Sequence, residues 1–243
     1  MIDIHSHIIF GVDDGPKTIE ESLDLIGEAY RQGVRFIVAT SHRRKGMFET
    51  PEKIIMTNFV QVKERVKVAY PEMTLCYGAE LYYSKDILSK LEKKEVPTLN
   101  GTRYILLEFS KSTPWKEIQE AVNEVMLLGL TPLLAHIERY DALAFQSERV
   151  EELIDKGCYT QINSSHVLKP GLIGDGAKEF KKRARYFLEQ DLVHCVASDM
   201  HNLSNRPPFM REAYKSITEE FGEDRAKALL KKNPLMLLKN QVI

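Results

Sequence analysis

Along the chain, short runs rich in β-branched and aromatic residues alternate with longer stretches in which apolar side chains recur every three or four positions. The first pattern predicts strands and the second amphipathic helices. Strands are expected at Met1–His5, Val34–Thr40, Thr74–Gly78, Tyr104–Leu107, Thr131–Ala135, Cys158–Ile162 and Val193–Ser198. The helix over Thr18–Gln32 carries the stripe Ile19, Leu23, Ile26 and Tyr30 up to Gly33, and that over Pro51–Ala69 carries Ile55, Phe59, Val62 and Val66. Ser112, Thr113 and Pro114 open a third, with Ile118, Val122 and Met126, that stops at Gly129; others cover Gln146–Lys156 and Asp175–Gln190. Ser84–Leu91 makes at most a short helix, and two or three helices fill Pro208–Asn240. This alternation, without a low-complexity linker, predicts a parallel α/β architecture, and 243 residues suit one barrel-like domain over 1–243.

The polar residues that end the strands change the picture. They are His5 and His7, His42, Glu80, Glu108, His136, His166, and then Asp199 and His201. In a parallel barrel these ends share one face, where such folds carry their chemistry. His5 and His7 stand two apart, so strand alternation aims both rings at one point. Imidazole and carboxylate ligands in this number exceed the needs of one ion, which points to a multinuclear site of Mn, Fe or Zn. Glu80 is suited to bridge two ions, and a hydroxide held between ions roughly 3.5 to 4 Å apart is a strong nucleophile near neutral pH. His194 is one residue out of phase with Cys195, Ala197 and Asp199 and is expected to face the helices. His166 is either a rim residue or a member of the site.

Arg139 and Arg206 follow His136 and His201 on loops above the same face, and guanidinium forks suit phosphoryl oxygens. The loop of Arg43, Arg44 and Lys45, with Met47 and Phe48, is either solvated or a receptor for a peptide. A net charge of -1 weighs against nucleic acid as partner. Cys76, Cys158 and Cys195 lie in apolar runs without a C-x-x-C and read as buried, reduced thiols. The N-terminal residues lack a basic region and cleavage site, and Ile8–Val12 is too short for a membrane span, so a cytoplasmic chain is expected.

The motifs D-I-H-S-H with D-D-G-P, T-S-H at 40–42, G-A-E at 78–80, A-H-I-E-R-Y at 135–140 and S-D-M-H-N at 198–202 followed by R-P-P resemble those of the PHP (polymerase and histidinol phosphatase) superfamily. More narrowly, the set is similar to the manganese-dependent protein-tyrosine phosphatases encoded with bacterial capsule and exopolysaccharide genes, the CpsB type. The resemblance implies a distorted (β/α)7 barrel of the PHP type with three Mn2+ ions. His5, His7, Glu80 and Asp199 would hold the first ion, Glu80, Glu108 and His136 the second, and Asp14, His42 and His201 the third. Whether Asp13 or Asp14 supplies the first-loop ligand is left open by the spacing. The implied partner is a bacterial tyrosine kinase with a tyrosine-rich tail, and the implied role is control of capsular polysaccharide synthesis.

The residues agree with metal chemistry in one further respect. The Cys-x5-Arg signature of thiol-dependent tyrosine phosphatases is absent, since Tyr82, Ser164 and His201 stand six after the three cysteines. The expected reaction is in-line attack by a metal-bridging hydroxide, with Arg139 and Arg206 on the phosphoryl oxygens and Asp199 or a ligand histidine giving weak acid assistance, because the leaving phenol has a pKa of about 10. The rival activities are a small-molecule phosphomonoesterase such as histidinol phosphatase, a metal-dependent nuclease, and a non-catalytic metal-binding module.

Overall fold

The strand-forming runs and the helical stripes assemble into alternating layers in a computed structural model that describes residues 1–171 and 175–243. Among the described residues the strands are β1 (Ile2–Ser6), β2 (Phe36–Ala39), β3 (His42–Arg43), β4 (Thr74–Tyr77), β5 (Glu80–Tyr82), β6 (Tyr104–Glu108), β7 (Thr131–Leu134), β8 (Tyr159–Asn163) and β9 (Cys195–Ala197). The helices are α1 (Ile19–Arg31), α2 (Glu52–Ala69), α3 (Lys85–Glu92), α4 (Trp115–Leu127), α5 (Ser147–Asp155), α6 (Ser164–Val167), α7 (Lys178–Glu189), α8 (Met210–Phe221), α9 (Glu223–Lys227) and α10 (Asn233–Leu238). None is long and apolar enough to cross a membrane.

Every ladder between these strands is parallel, with the orders β1-β2-β4 and β3-β5-β6-β7-β8-β9. The two expected strands Val34–Thr40 and Thr74–Gly78 each continue past a break, into β3 and β5. Gly78 N donates to Ala39 O at 3.0 Å and Glu80 N to Thr40 O at 3.1 Å, so pairing carries across the break and the sheet curls. A Cβ at Gly78 would lie 3.1 Å from Val38 Cγ1 and 3.2 Å from Leu99 Cδ2, so glycine lets the chain pass close to these side chains at the bend.

Strand alternation divides the core in two. Ile4, Val38, Leu106, Leu133, Cys195 and Ala197 point to the inside of the curl, while Ile37, Ile105, Leu107, Leu134 and Val196 pack under the helices. The stripe Ile55, Phe59, Val62 and Val66 of α2 is buried as its spacing requires; on α1 the buried residues are instead Leu25, Ile26 and Ala29, with Ile19, Leu23 and Tyr30 at the margin. Thr18 caps α1 by accepting from Glu21 N, and Ser84 caps α3 by accepting from Ile87 N. α7 starts at Lys178 rather than Asp175, because Asp175 is occupied in accepting from Gly171 N and Ala177 N.

The ends of β1 and β9 meet. Asp199 N donates to His5 O and His7 N to Met200 O, both at 2.9 Å. Between Asp3 and Ser6 the register of β1 on β2 slips by one residue, which reverses the phase of the strand. Ile2 and Ile4 thereby fill the interior below, and His5 and His7 still reach the face above.

Leu106 is fully buried in the inner layer, level with Glu80 on one side and Leu133 on the other. Leu106→Ala is expected to cost about 2–5 kcal/mol of stability, measured by denaturant unfolding; a change below about 1 kcal/mol would mean that the inner layer is not packed as described.

Candidate metal centre

Each strand delivers its terminal side chain to one place. His5 and His7 leave the end of β1, Glu80 opens β5 beside His42 of β3, Glu108 ends β6, and His136, Asp199 and His201 follow β7 and β9. His136 (φ 32°) and Asp199 (φ 52°) have left-handed backbone, which turns each side chain inward just after its strand. Asp14 arrives on the loop after β1. That loop hugs the strand so closely that a Cβ on Gly15 would lie 2.7 Å from His7 O.

The centre is built around Glu80, whose carboxylate is fully buried. Oε1 lies 3.0 Å from His136 Nε2 and 3.3 Å from His5 Nε2; Oε2 lies 2.9 Å from His42 Nδ1 and 3.2 Å from His7 Nε2. Asp199 Oδ1 is 3.4 Å from His5 Nε2, and Asp14 Oδ1 is 3.2 Å from His201 Nε2. Glu108 approaches His42 at 3.6 Å and His136 at 3.7 Å. Potential ligand atoms gather in three overlapping groups: His5, His7, Glu80 and Asp199; His7, Asp14, His42 and His201; and His42, Glu80 and Glu108. The first group is the set expected for one ion, the second adds His7 to the expected Asp14, His42 and His201, and the third pairs Glu80 and Glu108 with His42 where His136 was expected. His42 takes part in two groups, and His136 flanks Glu80 and Glu108.

Several of these atoms are close without being hydrogen bonded. Glu80 Oε2, Glu108 Oε2, His42 Nδ1 and His201 Nε2 are buried and have no partner of correct geometry. Atoms that approach at 2.9 to 3.7 Å with their lone pairs off axis are aimed at a common third partner, and this donor set suits divalent cations. The ionisation of the cluster agrees. Burial would raise Glu80 and Asp199, but neighbouring imidazoles, with Arg206 beside Asp199, hold both well below the carboxylate range. Glu108, squeezed by burial and by the charge of Glu80, is pushed up to about 7. His201 falls to about 4 through burial and the charge of His7, leaving its Nε2 lone pair free to bind. Divalent ions would relieve this crowding of negative charge.

The chain matches the family described as "Capsular polysaccharide synthesis, CpsB/CapC" over residues 1–239. It belongs to the CpsB/CapC family. It is 61% identical over 243 residues, all of both chains, to the tyrosine-protein phosphatase CpsB of Streptococcus agalactiae, and 59% identical, again over all of both, to CpsB of Streptococcus pneumoniae. A solved structure from work on YwqE of Bacillus subtilis and CpsB of Streptococcus pneumoniae, described as unique metal-dependent tyrosine phosphatases, is similar with a TM-score of 0.88 and 31% identity, covering 100% of this chain and 96% of that one.

Other residues of this CpsB/CapC chain hold the cluster in place, and apart from Asp13 the sequence pattern did not single them out. Asp13, left open beside Asp14, faces away from the ligand groups: its Oδ2 lies 2.9 Å from His7 Nδ1 and accepts from His42 N, and its Oδ1 accepts from Gly15 N. This fixes His7 with Nε2 toward the centre. On β8, Gln161 Oε1 accepts from His5 Nδ1 at 3.1 Å and from His136 N at 2.9 Å, while its amide donates to Asn163 Oδ1. Asn163 Nδ2 in turn donates to Asp199 Oδ2 at 2.8 Å. Polar side chains two apart on the interior face of a strand were the available signal.

The remaining expected residues divide. Arg206 Nη2 donates to both Asp199 oxygens at 2.9 and 2.8 Å, and Arg139 Nη1 to Oδ2 at 3.4 Å; both guanidinium groups remain about one-third exposed beside the centre. His194 is absent from it, with Nδ1 2.9 Å from Thr160 Oγ1. His166 stands outside the three ligand groups, at the rim. Arg43 is no free cation of the basic loop: it is buried and grips Glu52 at 2.8 and 3.0 Å, so Arg44 and Lys45 alone remain outward there. Phe48 stacks on His42 at 4.8 Å between ring centroids. The cysteines are unpaired, and burial pushes each thiol up, away from nucleophilic use.

Because Gln161 sets both the His5 tautomer and the position of His136, Gln161→Leu is expected to weaken divalent-ion affinity about 10- to 100-fold, measured by metal titration. Unchanged affinity would show that the amide does not position these ligands.

Proposed function

We propose that the chain is a metal-dependent protein-tyrosine phosphatase. Its substrate is a phosphotyrosine-bearing bacterial kinase, and its action regulates capsular polysaccharide synthesis. One observation carries the reading: buried carboxylate and imidazole atoms aimed at shared partners lie directly beneath two partly exposed arginines. Family membership and the names of the relatives support it. We read residues 1–243 as one domain acting in the cytoplasm, and the bonds between β1 and β9 as closing the curled sheet into a distorted (β/α)7 barrel.

Three Mn2+ ions are assigned to the three ligand groups, with Glu80 shared by two of them. Bound there, the ions lower the pKa of a water and offset the charge of phosphoryl oxygens. His5, His7 and His201 contribute through Nε2, each with Nδ1 tied to an acceptor, namely Gln161, Asp13 and the carbonyl of Asp199. Arg139 and Arg206 carry the phosphate: each has spare N–H groups facing the cavity while Asp199 anchors it. They orient the ester for in-line displacement and stabilise the charge that grows on its equatorial oxygens.

Arg139→Ala and Arg206→Ala are each expected to lower kcat/KM on a phosphotyrosine peptide about 10²- to 10³-fold with bound metal unchanged, measured by phosphate release and elemental analysis. Loss of metal in these variants would assign the arginines to ligand support instead. Full turnover after exhaustive chelation would remove the metal mechanism altogether.

A further inference from the structure

A cavity of about 320 Å3 opens beside the metal centre, lined among others by Arg139, Arg206, Asp199, His166, Leu168 and Phe180. It thus offers guanidinium groups to a phosphoryl group and an aromatic and an aliphatic side chain to a phenol ring. His166 serves neither purpose.

Its ring is held with care for a residue outside the ligand groups. His166 Nδ1 lies 2.6 Å from Glu138 Oε1, and Glu138 is a fully buried carboxylate that also accepts from Asn163 N at 2.9 Å. The ring packs 5.3 Å from that of Phe180. Among the described residues Nε2 has no hydrogen-bond partner, and the side chain keeps an exposed edge at the cavity. A buried carboxylate on one ring nitrogen orients the ring and leaves the other nitrogen, turned toward the cavity, as the atom placed to pass on a proton. Asp199 is poorly suited to that task, since its oxygens already accept from Arg206 and Asn163.

We propose that the cavity seats the tyrosine ring against Phe180 and Leu168 and that His166, braced by Glu138, is the general acid for the leaving phenolate. The inference rests on the phosphatase reading above. As the incoming hydroxide forms its bond to phosphorus, the bond from phosphorus to the tyrosine oxygen breaks and its electron pair moves onto that oxygen. The proton on His166 Nε2 transfers there, giving the neutral phenol. The imidazole remains as the Nδ1–H tautomer donating to Glu138, and solvent returns the proton. Glu138 faces the ring from the turn after β7, Lys181 lies on α7 next to Phe180, Lys111 and Arg183 stand against the Phe180 ring, and Arg139, Arg206 and Asp199 line the same cavity.

The test compares the metal-loaded wild type with His166→Gln on two substrates, a phosphotyrosine peptide and p-nitrophenyl phosphate. Nitrophenolate leaves readily without a proton, whereas the tyrosine phenol has a pKa of about 10. The expected result is a fall of about 100-fold or more in kcat on the peptide, with the nitrophenyl ester changed by no more than about threefold and metal content unaltered. Equal losses on both substrates, or no loss on either, would overturn the assignment. A wild type inactive on both would overturn the phosphatase reading itself, and this step with it.

Discussion

The structure depends on one buried carboxylate. Glu80 has no solvent access, yet four imidazoles from three strand ends stand within 3.3 Å of its oxygens. A lone buried carboxylate is costly unless positive charge answers it. Here the answer comes from groups that lie far apart in the chain and meet only because a parallel sheet puts all its carboxyl ends on one face. The fold and the site are thus one constraint: the curl of the sheet exists where Gly78 permits a close approach, and the same break presents Glu80.

The strand ends were legible because their chemistry is repetitive. Alternating short apolar runs and amphipathic stripes located the seven expected strands to within a residue or two, and most were followed closely by a histidine or an acid. Arg139 and Arg206 were legible for the same reason, standing a few residues past two of those ends. What escaped were interactions that arise only in three dimensions. The one-residue slip in β1 reverses its phase, so alternation from Ile2 alone would send His5 and His7 to the wrong face. Asp13 and Asp14 are adjacent and chemically alike; only the path of the loop makes one a brace for His7 and the other a candidate ligand. Arg43 sat in a basic run and turned inward because Glu52 waits for it from the first turn of α2.

β8 shows the same limit from the opposite side. It supplies no member of the three ligand groups, yet Gln161 and Asn163 connect His5, His136 and Asp199, residues in or just after three other strands. Neutral amides suit this place: each offers a donor and an acceptor at once and adds no charge to a crowded anionic cluster. The same strand leads to α6, where His166 lines the cavity and is held by the buried Glu138 of the turn after β7.

The central claim, that Glu80 organises a trinuclear centre, is tested most directly by anomalous diffraction at the manganese absorption edge from crystals of the manganese-loaded protein. The account predicts three peaks, two of them flanking the Glu80 carboxylate and the third among Asp14, His42 and His201. A single peak, or metal bound away from Glu80, would contradict it.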